Sequence, residues 1–148
     1  MACFWLTFCL YSYDSAGIAT IDPAGSKLSV TKYASRDTTG DSIELVASHL
    51  TAHEGNPIGI AHTRWATHGG KTDANSHPHT DSKQRVAVVH NGTINNFFEL
   101  KNELIKSGIK FTSETDTEVI AQLIGTYLDE GMGTKEAVAQ ALKRLRFS

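Results

Sequence analysis

The sequence predicts an α+β fold. Short apolar or alternating runs bounded by turn residues fill the first part of the chain, and helical periodicity fills the second. Strands in the first part followed by helices in the second suggest layered α+β packing.

The elements follow in order. Residues 16–22 (AGIATID) read as a strand ended by Pro23, Gly25 and Ser26. Residues 28–33 (LSVTKY) alternate apolar and polar side chains and read as the return strand of a hairpin. Asp41 is a suitable N-cap for a helix over 42–53, with Ile43, Val46, Ala47 and Leu50 on one face and Gly55-Asn56-Pro57 as its stop. The runs 58–62 (IGIAH) and 86–90 (VAVVH) read as buried strands. Between them, residues 63–85 form a polar loop, longer than a mere connector and therefore expected to carry function. A helix is predicted over 95–107, with Phe98, Leu100, Leu104 and Ile105 at core spacing and Gly108 as its stop. Thr115 and Glu118 have capping-box spacing at the start of a helix over 116–129. Thr134 is expected to cap a last helix running to residue 146.

Composition removes several classes of function. The net charge is -2 and no run of Lys or Arg could track phosphates, so no nucleic-acid partner is expected. Residues 2–11 (ACFWLTFCLY) are apolar, yet they lack a basic leader and a small-residue cleavage site, and they are too short to span a membrane. The only cysteines are Cys3 and Cys9, which is too few for a disulfide scaffold and fits a reducing, cytoplasmic setting.

Three stretches can carry chemistry. Ala61-His62-Thr63-Arg64-Trp65-Ala66-Thr67-His68-Gly69 leaves the end of a predicted strand. Arg64 can grip a carboxylate through two parallel hydrogen bonds, Thr67 and His68 add neutral donors, and Trp65 could cover a bound small molecule. The plain alternatives are a surface ion pair for Arg64 and a half-buried packing role for Trp65. In His90-Asn91-Gly92, the Asn91 side-chain amide and the Gly92 backbone N–H suit an oxyanion hole; the alternative is a strand-ending turn. In Ser113-Glu114-Thr115-Asp116-Thr117-Glu118, Asp116 could bind the ammonium of an amino acid, or simply favour the helix dipole. Five of the seven histidines fall between His62 and His90, which raises a metal site as a rival. No His-x-x-x-His on a helix and no cysteine pair supports it, so no metal and no cofactor are expected.

In order and spacing, AHTRWATHG, NSHPH, VVHNG and SETDTEVIAQL resemble the glutaminase domain of glutamine–fructose-6-phosphate amidotransferases (isomerizing). Tyr13-Asp14-Ser15-Ala16-Gly17-Ile18-Ala19 resembles the same family's N-terminal signature, so the likeness runs from Tyr13 to Arg146. It implies an N-terminal-nucleophile hydrolase: two antiparallel sheets between helix layers, an αββα sandwich. In the family an N-terminal Cys attacks the glutamine side-chain amide, with its own α-amino group as base. The likeness makes Arg64 the α-carboxylate clamp with Thr67 and His68, Trp65 a lid and ammonia gate, Asn91 and Gly92 the oxyanion hole, and Asp116 the ammonium site. Ammonia would pass to a separate sugar-isomerase domain that makes glucosamine 6-phosphate from fructose 6-phosphate, in an enzyme that is a homo-oligomer at full length.

The chain departs from the family at its ends. Residues 1–12 (MACFWLTFCLYS) show no counterpart of the nucleophile, the first strand or most of the first helix. Removal of Met1 would expose Ala2, leaving Cys3 with an amide nitrogen that is no base near neutral pH. Residues 1–12 are therefore expected to be unrelated sequence, from a mispredicted start or intron read-through. Residues 13–148 are expected to be a partial glutamine amidotransferase domain without its C-terminal strands, inactive alone. The alternative is a catalytically dead glutamine-binding module with a regulatory role.

Overall fold

The computed structural model describes residues 13–36, 41–65 and 69–148, so the expected segment 1–12, with both cysteines, lies outside the described residues. The architecture is α+β with antiparallel sheets. The strands are β1 (Ser15–Ile21), β2 (Leu28–Ala34), β3 (Ile58–Arg64), β4 (His79–Thr80) and β5 (Ala87–Val88). The helices are α1 (Asp41–Ala47), α2 (Phe97–Lys106), α3 (Thr117–Asp129) and α4 (Thr134–Arg144), with a 3-10 turn at Leu50–His53.

β1 is the centre of a sheet ordered β2-β1-β3, with Ile18 opposite Thr31 on one side and Ala61 on the other. The hairpin turn is held by the Asp22 carboxylate, which accepts from the amides of Ser26 at 2.7 Å and Lys27 at 2.9 Å. Those amides hold the Asp22 carboxyl below the usual carboxylate range.

The predicted helix over 42–53 is shorter in the structure. Ser48 Oγ donates to the Leu45 carbonyl at 2.8 Å, and the His49 ring nitrogen Nδ1 lies 2.9 Å from the same oxygen. These side chains compete for the acceptor that a continuing helix needs. The chain then delivers His53 to the sheet, where its ring meets Thr20 Oγ1 at 2.7 Å and Thr31 Oγ1 at 2.9 Å. The expected apolar face is only partly covered: Ile43 and Val46 are half-buried, while Ala47 and Leu50 are exposed. A two-turn helix covers little of a sheet.

β3 is not a buried strand. Among the described residues it pairs only with β1, and Ile58 is 66% exposed. A five-residue apolar run fits an edge strand as well as a central one. The second predicted strand shrinks to Ala87–Val88, paired with His79–Thr80, and all of 86–90 is half-buried.

The core lies among the helices: Ile94, Leu100, Leu104, Val119, Ile120, Leu123, Ile124, Ala137, Ala141 and Leu145 are all buried. Each large side chain there contributes about 1.5–3 kcal/mol by leaving water. On α2, Leu100 and Leu104 face this core as expected, but Phe98 and Ile105 are 69% and 48% exposed. Those two are one heptad apart and share the solvent-side stripe.

α3 begins as predicted, without the capping box. Thr115 Oγ1 instead meets His79 Nε2 at 2.9 Å and Ser113 Oγ at 3.0 Å. The Glu118 carboxylate accepts from the amides of Thr112 at 2.9 Å and Ser113 at 2.7 Å, fixing the turn that enters the helix. Gly133 rather than Thr134 occupies the N-cap of α4, and the helix stops at Arg144, short of the expected 146.

Candidate active site

Three elements converge on one cleft of about 260 Å³. The end of β3 supplies His62, Thr63, Arg64 and Trp65; the turn after β5 supplies His90, Asn91 and Gly92; the start of α3 supplies Thr115, Asp116 and Thr117. Tyr13 and His77 complete the lining.

Arg64 is held by strand register: it lies opposite Ser15, its carbonyl accepts from the Asp14 amide at 3.0 Å, and the residue is 6% exposed. Burial lowers the guanidinium below its ordinary range, against the opposing charges of Asp14 and Asp116. It remains a cation at any physiological pH. Asp116 is 7% exposed and occupies the N-cap of α3. Its Oδ2 accepts from the Ile94 amide at 2.8 Å, which fixes the carboxylate against the chain just past Gly92. A buried cation and a buried carboxylate thus share one cleft, carried by separate elements.

Asn91 and Gly92 lie beside them, both exposed. Gly92 has φ +154, and a Cβ there would sit 3.0 Å from His90 Nε2, so the turn needs a glycine. Trp65 stands at the rim, 66% exposed. Thr67 and His68 lie outside the described residues.

The motifs contained His62, His77 and His79 but gave them no role; the structure brings them together as an imidazole wall. His62 and His77 stack with ring centroids 4.5 Å apart, and His79 meets His77 edge-on at 4.8 Å. Burial first, then His62 and Arg64, pushes His77 down to about 3. Burial and Lys32 push His79 down to about 2. Both are neutral near pH 7. The clustering of histidines between 62 and 90 was the available signal, but it reads as readily as metal binding. Among the described residues no group of three or more His, Cys, Asp or Glu is arranged to hold a metal ion. Among them, too, no helix is long and apolar enough to cross a membrane.

An α+β domain with a small polar cleft, opposite charges on separate elements and a glycine turn beside them is the class that fold and site define. Residues 47–138 match the family described as "Glutamine amidotransferase domain", and the chain belongs to that family. Curated relatives are glutamine–fructose-6-phosphate aminotransferases (isomerizing). That of Methanothermobacter thermautotrophicus is 49% identical over 90% of this chain and 21% of the relative. That of Aquifex aeolicus is 50% identical over 90% and 21%, and that of Sulfurisphaera tokodaii 44% over 92% and 22%. The chain spans about a fifth of the length of the curated relatives it matches.

Proposed function

We propose that the cleft binds free glutamine, and that residues 13–148 belong to the glutaminase part of a protein that makes glucosamine 6-phosphate from glutamine and fructose 6-phosphate. One observation carries this reading: Arg64 and Asp116 line the same cleft, with Asn91 and Gly92 beside them. Arg64 takes the α-carboxylate as a planar fork, and Asp116 takes the α-ammonium. Asn91 and Gly92 then donate to the side-chain carbonyl oxygen, the atom that would gain charge on attack at the amide. Residues 13–148 hold no cysteine to make that attack, so binding without hydrolysis is the expected behaviour of this chain. Thr67 and His68 assist at the carboxylate, and Trp65 closes over the ligand. The volume of about 260 Å³ lies just below the ~300–1,000 Å³ of pockets for drug-sized ligands, as suits one amino acid. The described strands would belong to the two sheets of an N-terminal-nucleophile sandwich. A sugar-isomerase domain in the whole protein would receive the ammonia. That protein would work in the cytoplasm as a homo-oligomer.

Calorimetric titration with L-glutamine tests the reading. Arg64→Ala and Asp116→Ala should each weaken binding about tenfold or more, the loss of one charge-assisted contact. A wild-type chain that binds no glutamine overturns it. Glutamate release, followed in parallel, decides between hydrolysis and binding alone.

A further inference from the structure

We infer that Asn96 is a positioning residue for the turn carrying Asn91 and Gly92, because its side-chain amide ties that segment to the chain leaving α4. The inference rests on the reading of the cleft as a glutamine site.

Asn96 occupies the N-cap of α2, where an asparagine ordinarily turns back onto the amides of the first helical turn. It makes no such cap. Its Nδ2 donates to the Arg144 carbonyl at 2.9 Å, and its Oδ1 accepts from the Arg146 amide at 3.0 Å. Only one orientation of the amide satisfies both partners, since a carbonyl cannot donate and an N–H cannot accept.

Further contacts join the same two segments. The Asn95 amide donates to Arg146 O at 2.7 Å, and the Ser148 amide to Thr93 O at 3.3 Å. Ile94 and Phe147 form an antiparallel bridge, and the Phe147 ring lies 5.6 Å from that of His90. From the other side, Asp116 Oδ2 holds the Ile94 amide. The segment just after Gly92 is therefore clamped between the start of α3 and the chain beyond α4, with Asn96 the side chain that grips the latter. Donors to a developing oxyanion are effective only when held in place beforehand, and a misplacement of about 1 Å is enough to lose much of their effect.

The test compares L-glutamine with L-norvaline, which keeps the α-groups and lacks the side-chain amide. The wild-type chain should prefer glutamine about tenfold. Asn96→Ala should remove about fivefold or more of that preference, leave norvaline affinity within about twofold, and speed hydrogen exchange at residues 92–95 while α3 keeps its protection. Asn96→Asp keeps the volume and the acceptor but loses the donor; it should shift both readouts the same way, and it carries the test if the alanine variant does not fold. Full retention of the glutamine preference in a folded variant overturns the inference. So does an equal loss for both amino acids together with lost protection in α3, which marks a purely structural role. A wild type that binds neither amino acid sinks the glutamine reading and this role with it. If glutamine binds but exchange at 92–95 is unchanged in both variants, the anchoring alone is wrong.

Discussion

Gly17 shows how closely sheet and loop are fitted. A Cβ at this position would sit 2.0 Å from the His77 carbonyl oxygen and 2.7 Å from Lys32 Cβ. Lys32 grips the same loop, donating to Ser76 O at 2.8 Å and Ala74 O at 3.2 Å. Gly17→Ala must push the loop off the sheet. It should destabilise the domain by about 1–3 kcal/mol, read from the urea midpoint, and weaken ligand binding because His77 lines the cleft. Glu118 is a second such residue. It is 1% exposed, and its carboxylate also accepts from Ser113 Oγ at 2.6 Å. Glu118→Gln sets an amide donor against backbone N–H groups and should cost about 2–3 kcal/mol in the same measurement. Neither role was legible in the sequence. Gly17 sits inside a clean strand pattern and its neighbour His77 arrives from a distant segment, while Glu118 reads as half of a capping box although its carboxylate turns to the amides five and six residues upstream.

The elements divide by how local their causes are. α2, α3 and α4 were legible because their apolar spacing is set by helical geometry alone, and only their end residues moved, by one or two. The end of α4 moved because Asn96 Oδ1 takes the Arg146 amide, the donor that a longer helix would direct at the Leu142 carbonyl. The strands were harder, since an apolar run does not say which side has a neighbour. β3 is the outcome: among the described residues it pairs on one side only, and Ile58 is 66% exposed. Exposed edges of this kind template pairing between chains. Ile58→Lys should change stability in urea by no more than about 0.5 kcal/mol, and lower light scattering on concentration. Leu104→Ala, by contrast, empties a core position that is 3% exposed and should cost about 2–5 kcal/mol. If the edge and core substitutions proved equally destabilising, the assignment of the core to the helices would be wrong.

The whole molecule is held together by a loop that is polar and buried at once. Asn75, Ser76, His77, His79 and Asp81 are all buried between the sheet and the helices. Composition leads one to expect function in such a stretch, and five of the proposed site residues, Arg64, Trp65, Asn91, Gly92 and Asp116, line one cleft. Composition cannot say that the histidines there are neutral, because that depends on desolvation by the completed fold. A consequence for stability follows. In the unfolded chain an imidazole takes a proton below pH ~6.5. In the folded chain burial keeps His77 unprotonated down to about 3 and His79 down to about 2. Over that interval the unfolded state holds the extra protons, so stability falls as pH falls, by at most about 1.4 kcal/mol per pH unit for each histidine. Above pH ~7 both states are neutral and the effect vanishes. Urea midpoints should therefore be level from about pH 7 upward and decline steadily from about pH 6 to pH 4.5, before most carboxylates titrate. His77→Gln, which cannot take the proton, should be less stable at pH 7 yet show a shallower decline. An unchanged slope in that variant would mean that His77 is protonated in the folded protein, and that the wall of the cleft carries charge.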